Sequence, residues 1–187
     1  MELYLVRHTA PDVAHGICYG RSDIDVCDGF EHELALVQAK LAGIKPDKFY
    51  SSPQLRCLRL AQALGLGEPL LDDRLMELHF GLWELKSWDD IPRGEFDAWA
   101  AAYVDHAPPG GESFRAMHAR VASFLHDIQT AQPAGPVIVV THAGVIRALL
   151  AEALQLPLTE AFRFQLDFGG VTQLLLRRKI EIGYINR

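Results

Sequence analysis

The chain has 187 residues, enough for one well-buried core and short for two, so a single domain over 1–187 is expected. Hydrophobic residues at 49% against 22% charged exclude a disordered chain, and a formal net charge of −6 argues against a general nucleic-acid binder, so any anion site has to be a local basic pocket in an acidic molecule. No apolar run approaches the length of a membrane span, Glu2 stands where a basic leader would be, and three widely spaced cysteines (Cys18, Cys27, Cys57) suit reduced thiols in a cytoplasmic protein.

Leu3-Tyr4-Leu5-Val6 is a short apolar run that stops at Arg7-His8-Thr9 and reads as a buried strand running into a loop. Ligands of open α/β sheets bind beyond the carboxyl ends of strands, so Arg7 and His8 offer a fixed cation beside an imidazole where an anion would sit. The polar segment 10–28, with Pro11, Gly16 and Gly20, is a long loop carrying Arg21, either facing an anion or simply solvated. Apolar residues at helical spacing (Leu34, Val37, Leu41) predict a helix over 30–42, with Gly43 as its stop, and Lys48-Phe49-Tyr50 predicts a second strand.

Ser51-Ser52-Pro53 follows at once. Ser52 suits an N-cap and Pro53 a first helical position, which predicts a helix from there to Leu64. Arg56 falls in its first turn, where the dipole already favours anions and a cation is out of place unless it binds one. Pro69 to Leu71 reads as a short strand and 72–90 as an irregular loop. In that loop Glu77 is flanked by apolar residues, and partial burial of a carboxyl suits general-acid work. His79 beside Phe80 reads as a packing histidine.

A helix is predicted over 95–104, with Phe96, Trp99 and Tyr103 on one side, broken by Pro108-Pro109-Gly110-Gly111. Another runs from Glu112-Ser113 to about Thr130, with Phe114, Met117, Val121, Phe124, Leu125 and Ile128 facing a core; its His118 and His126 read as surface histidines. Val137-Ile138-Val139-Val140 is the strongest strand, apolar on both faces and therefore central and parallel. It ends in Thr141-His142-Ala143-Gly144, where a further helix starts. If the strands ending at His8 and His142 are neighbours, both imidazoles share one crevice. Phe162 to Phe168, Val171 to Leu176 and Ile180 to Ile185 read as three short strands, their turns making part of the sheet antiparallel.

Arg7, His8, Arg56, Glu77 and His142 together form a set suited to phosphoryl transfer: guanidiniums to spread charge, an imidazole to attack phosphorus, and an acid for the departing alkoxide. No carboxylate cluster of the Mg²⁺-holding kind and no Gly-rich Walker-type loop is present, which points to chemistry without a metal or cofactor.

The sequence resembles the histidine phosphatase superfamily, with its phosphoglycerate-mutase-like fold, over nearly its whole length. The resemblance rests on Leu5-Val6-Arg7-His8-Thr9, Ser51-Ser52-Pro53-Gln54-Leu55-Arg56, Glu77-Leu78-His79-Phe80-Gly81-Leu82-Trp83-Glu84, Pro109-Gly110-Gly111-Glu112-Ser113 and Val140-Thr141-His142-Ala143-Gly144, five motifs in order. It implies a three-layer αβα sandwich with a mostly parallel central sheet and antiparallel C-terminal strands. It implies His8 as the phosphorylated nucleophile, Glu77 as proton donor, and Arg7, Arg56 and His142 as the phosphate pocket, with no metal.

Gly16-Ile17-Cys18-Tyr19-Gly20-Arg21-Ser22-Asp23 is similar to the α-ribazole phosphatase branch, with Leu85 where a glycine commonly follows Trp-Glu and Val26-Cys27 in place of a Pro-Leu pair. Thr9 of the first motif, Tyr19 and Arg21 of the loop join the expected substrate contacts. The expected activity is hydrolysis of a small phosphorylated metabolite such as α-ribazole 5′-phosphate. The competing readings are a mutase or sugar phosphatase on the same fold, a module that only binds phosphorylated ligands, and a zinc site on His8 and His142. Neither length nor patterning distinguishes a monomer from a homodimer.

Overall fold

The computed structural model describes all residues, 1–187. A six-stranded sheet lies between two helical layers. In chain order the elements are β1 (Glu2–Arg7), α1 (Phe30–Lys40), β2 (Lys48–Ser51), α2 (Leu55–Ala63), β3 (Leu70–Leu71), α3 (Arg93–Ala102), α4 (Phe114–Ala131), β4 (Val137–Thr141), α5 (Ala143–Leu154), β5 (Val171–Leu176) and β6 (Ile180–Tyr184). The strand order is β3-β2-β4-β1-β5-β6. β3, β2, β4 and β1 run parallel, whereas β5 and β6 pair antiparallel, β5 directly on β1. The expected architecture, a mostly parallel sheet with antiparallel C-terminal strands, is the one observed.

Alternation along β1 builds both layers. Leu3 and Leu5 point into a core with α4 and α5, and Tyr4 and Val6 into a core with α1 and α2. β4 is buried on both faces along its whole length. Each fully buried Val or Ile there contributes about 1.5–3 kcal/mol of apolar burial. A third, smaller core of Cys18, Trp83 and Ile91, ringed by Phe80, Trp88, Phe96 and Trp99, holds the 72–90 loop and α3 over one end of the sheet.

Register places the site. Arg7 is paired with Thr141 and Ser51 with Val140. The main chain continues the ladder past the strand ends: the His8 N–H donates to the Thr141 carbonyl (2.9 Å) and the Ser52 N–H to the Val140 carbonyl (2.9 Å). Three parallel strands therefore deliver His8, Ser52 and His142 to one crevice, where open α/β sheets bind ligands.

Two expectations fail. The helix predicted from Pro53 starts at Leu55, with Gln54 in extended conformation as its cap; the Ser52 hydroxyl accepts the Gln54 N–H at 3.4 Å and also lies 2.9 Å from Nε2 of His142. The strand predicted over 162–168 does not form. Leu158–Arg163 is a 3₁₀ helix and the chain then crosses without sheet pairing, since β1 already has β4 and β5 on its two sides. The aromatic alternation that suggested a strand has another use: Phe162 packs on Tyr103 and Phe114, and Phe168 on His8.

Candidate active site

The two imidazoles lie with ring centroids 5.1 Å apart. His8 is 2% exposed and His142 fully buried. Nδ1 of His8 is 2.7 Å from the Thr9 carbonyl oxygen, which can only accept, so Nδ1 carries the proton. Nε2 then holds a lone pair, and it accepts the Nε–H of Arg56 at 3.3 Å. Burial, reinforced by the charges of Arg56 and Arg7, holds the His8 pKa well below its ordinary 6.5. The same causes, burial first, lower His142. Both rings are neutral at pH 7 in a region of positive potential.

Arg56 is fully buried, and its guanidinium is aimed by main-chain carbonyls: Nη1 donates to Ser22 (2.9 Å) and Nη2 to Gly20 (2.7 Å). Three of five N–H donors are thus used, leaving two. Arg7 donates Nη1 to the Leu166 carbonyl and stacks over Phe168, 3.8 Å from the ring centroid. Its Nε has no protein partner. Burial lowers the Arg7 pKa but leaves it a cation, as an arginine stays in proteins. Arg56 and His142 lie against the His8 ring without lining the adjoining cavity themselves.

Glu77 faces the same place from the 72–90 loop. Its Oε2 accepts the Gly144 N–H at the start of α5 (3.1 Å), and Oε1 accepts the Leu78 N–H (2.9 Å). The Gln54 side chain ties this loop to the 10–28 loop, accepting the Glu77 N–H (2.8 Å) and donating to the Gly20 carbonyl (2.7 Å). Arg120 on α4 supports Glu77 from behind, donating to the carbonyls of Arg74 and Glu77 and pairing with Glu112 (2.6 Å).

A cavity of about 170 Å³ opens from this cup. Arg7, His8, Tyr19, Glu77 and Arg147 line it with apolar groups of Leu78, Phe80, Phe114, Met117 and Phe162. Its chemistry suits an anion held by guanidiniums beside a neutral imidazole, with a carboxyl within the same wall.

Three expected contacts need correction. Arg21 turns away: its Nη2 pairs with Glu112 at 3.1 Å and it does not line the cavity. Thr9 contributes its carbonyl, while its hydroxyl is fully buried without a partner. The first free N–H of α2, on Leu55, is taken by the Asp23 carboxylate (2.6 Å), so that helix start is not an open anion site. Tyr19 does line the cavity, its ring 5.4 Å from the Arg56 guanidinium carbon. Arg147, Ser52 and Gln54 were not anticipated. Arg147 carried a signal, being the one Lys or Arg in the apolar run from Val137 to Leu150.

Besides placing Tyr19 in the cavity wall, the segment similar to the α-ribazole branch, 16–23, makes structural contacts. The backbone N–H groups of Gly20, Arg21 and Ser22 cradle the Glu84 carboxylate, and the Gly20 and Ser22 carbonyls aim Arg56. Leu85 has φ 64°, the left-handed region that explains a glycine at this place in other chains. His118 pairs with Glu152 (2.9 Å) and His126 is exposed on the same helix, away from the site.

The model of the histidine phosphatase superfamily (branch 1) matches residues 3–180. A glucosyl-3-phosphoglycerate phosphatase of Mycolicibacterium vanbaalenii is 35% identical over 83% of this chain and 75% of its own length. The adenosylcobalamin/α-ribazole phosphatase of Escherichia coli is 28% identical over 96% of this chain and 92% of its own. The crystal structure of the α-ribazole phosphatase from Shigella flexneri shares the fold with a TM-score of 0.92 at 21% identity, covering 100% of this chain and 96% of that one.

Proposed function

The chain belongs to the histidine phosphatase superfamily and is a phosphatase, and we propose that it hydrolyses a small phosphomonoester through a phosphohistidine on His8, without a metal. Nε2 of His8 attacks phosphorus in line as the bond to the leaving oxygen breaks. Glu77, in its acid form, gives its proton to that oxygen, and the alcohol departs. Water then attacks the phosphohistidine, Glu77 takes its proton back, and the P–N bond breaks to return neutral His8 and inorganic phosphate. Arg7, Arg56 and His142 stabilise the phosphoryl oxygens, and the guanidiniums supply the positive charge that a metal supplies elsewhere.

The observation that carries this reading is the hydrogen-bond state of His8. Its proton is held by a carbonyl on one side, and its lone pair faces a guanidinium on the other.

The named relatives act on different alcohols, as their names say. The reading here is therefore of the phosphoryl chemistry, with α-ribazole 5′-phosphate as one candidate ester. The test is phosphate release from p-nitrophenyl phosphate and a panel of α-ribazole 5′-phosphate, sugar phosphates and phosphoglycerates, with no metal added. Release of inorganic phosphate that is abolished in His8→Ala is expected. Isomerised ester with no phosphate would show a mutase, and ligand binding with no turnover would show a binding module.

A further inference from the structure

Arg56 and Glu84 carry opposite charges away from bulk water, and neither touches a side chain of the other sign. Arg56 is fully buried. Its hydrogen bonds go to His8 and to the carbonyls of Ser22 and Gly20, with no carboxylate within ion-pair distance. Glu84 is half-buried, and every group bonded to it is neutral. Its Oε1 accepts the N–H of Arg21 (2.7 Å) and of Phe80 (3.1 Å). Its Oε2 accepts the N–H of Gly20 (3.2 Å), the N–H of Ser22 (2.6 Å) and the Ser22 hydroxyl. Burial alone would raise the Glu84 pKa, but the Ser22 hydroxyl and the N–H groups of Arg21, Phe80 and Ser22 outweigh it and lower the value. Shielded charges of this kind are costly unless each is compensated.

One peptide group joins the two. The Gly20 carbonyl that accepts Nη2 of Arg56 (2.7 Å) and the Arg21 N–H that donates to Oε1 of Glu84 (2.7 Å) belong to the same amide. Guanidinium, carbonyl, N–H and carboxylate thus form one continuous chain, in which each hydrogen bond polarises the next. The turn is shaped for that approach: a Cβ on Gly20 would collide with the Leu78 carbonyl oxygen and lie 3.0 Å from Oε1 of Glu84. The arrangement also has a chemical advantage over a direct ion pair. A carboxylate on Arg56 itself would occupy its two remaining N–H donors and repel an incoming phosphoryl group. Neutral carbonyls orient the guanidinium and do neither.

We propose that Glu84 is a positioning residue for phosphoryl transfer: it is the remote counter-charge of Arg56, acting through the Gly20–Arg21 peptide to hold that guanidinium on the phosphoryl pocket. This rests on the phosphatase reading above and adds to it a residue that does not line the cavity.

The test is a double-mutant cycle on kcat for p-nitrophenyl phosphate, with the wild type, Glu84→Gln, Arg56→Ala and the double variant. Glu84→Gln keeps the shape but turns an NH₂ group against N–H donors. It is expected to lower kcat about 10-fold or more, within the about 10²–10³ that loss of the positioned donor itself costs. In the Arg56→Ala background the same change should cost less than about 2-fold, because one residue acts through the other. Glu84→Asp, which keeps the charge, should retain a higher kcat than Glu84→Gln. An equal loss in both backgrounds, an unchanged kcat in Glu84→Gln, or a kcat in Glu84→Gln at or above that of Glu84→Asp overturns the proposal. Should Glu84→Gln fail to fold, Ser22→Ala takes its place in the cycle, removing one hydroxyl donor from the carboxylate. A loss of about 5-fold, one hydrogen bond's worth, that vanishes beside Arg56→Ala supports the proposal, and no loss or an equal one overturns it. Wild-type turnover with equal losses rejects only this inference. No turnover of any ester by the wild type rejects the phosphatase reading, and this one with it.

Discussion

Arg56 donates its Nε–H to Nε2 of His8 across 3.3 Å, while the carbonyls of Gly20 and Ser22 hold its two Nη atoms. His8 and Arg56 are thus positioned by each other and by one loop. In the proposed mechanism an incoming phosphoryl group takes over the donor now resting on Nε2.

Removing that donor is expected to cost both chemistry and stability. Arg56→Ala should lower kcat by about 10²–10³, the loss seen when one well-placed donor to a developing anion is removed. It also removes the partner of the Ser22 carbonyl, at about 1 kcal/mol, while the Gly20 carbonyl keeps Gln54 as a donor. Steady-state kinetics and urea unfolding of the same variant measure the two effects separately. An unchanged kcat would remove Arg56 from the reaction.

The depressed pKa values of His8 and His142 set the sign of the pH dependence. Both are neutral when folded and titrate near 6.5 when unfolded. Their contribution to stability is fully present above pH 6.5 and is lost as pH falls toward the folded values, because the unfolded chain takes up protons that the folded one refuses. Unfolding midpoints should therefore drop between about pH 7.5 and 5.5, and His142→Gln should flatten that slope. The acid limb of kcat/KM, which reports the free enzyme, should lie well below 6.5 once the titration of the substrate's own phosphate is allowed for. A limb at 6.5 or above would mean that His8 is not the buried neutral nucleophile described here.

Glu77 and Gly144 are coupled through space. A Cβ at residue 144 would collide with Oε1 of Glu77, so Gly144→Ala must displace the carboxyl. If Glu77 protonates the leaving oxygen, its loss matters most for poor leaving groups. Glu77→Gln and Gly144→Ala should each slow an alkyl phosphate at least about 10-fold more than p-nitrophenyl phosphate, whose weakly basic phenolate leaves without a proton. Equal losses on both esters would assign Glu77 to binding alone.

How much of this was legible in the chain depends on whether local patterning or distant partners decide a residue's place. Leu3 to Arg7 and Val137 to Thr141 announce buried strands by their apolar runs, and the parallel register that joins their ends then fixes His8 beside His142. Ser113 caps α4 as its sequence position suggests, accepting the Ala116 N–H (3.2 Å). Arg21, Ser52 and the 162–168 segment misled because tertiary partners overrode local signals. Glu112 takes the Arg21 guanidinium, His142 shares the Ser52 hydroxyl with the Gln54 N–H, and Phe162 and Phe168 pack on aromatic rings instead of entering the sheet. Gln54 gave no signal at all, since its role in joining the Gly20 and Glu77 loops spans 34 and 23 residues of sequence.

The central claim is covalent, and it has a direct measurement. The protein is mixed with a turned-over ester, quenched without acid, digested, and its peptides are mapped by mass spectrometry. A phosphoryl group on His8, trapped in the wild type, more abundant in Glu77→Gln and missing in His8→Ala, is the predicted result. Continued phosphate release by His8→Ala, or wild-type turnover that leaves His8 unmodified at every quench time, would contradict it.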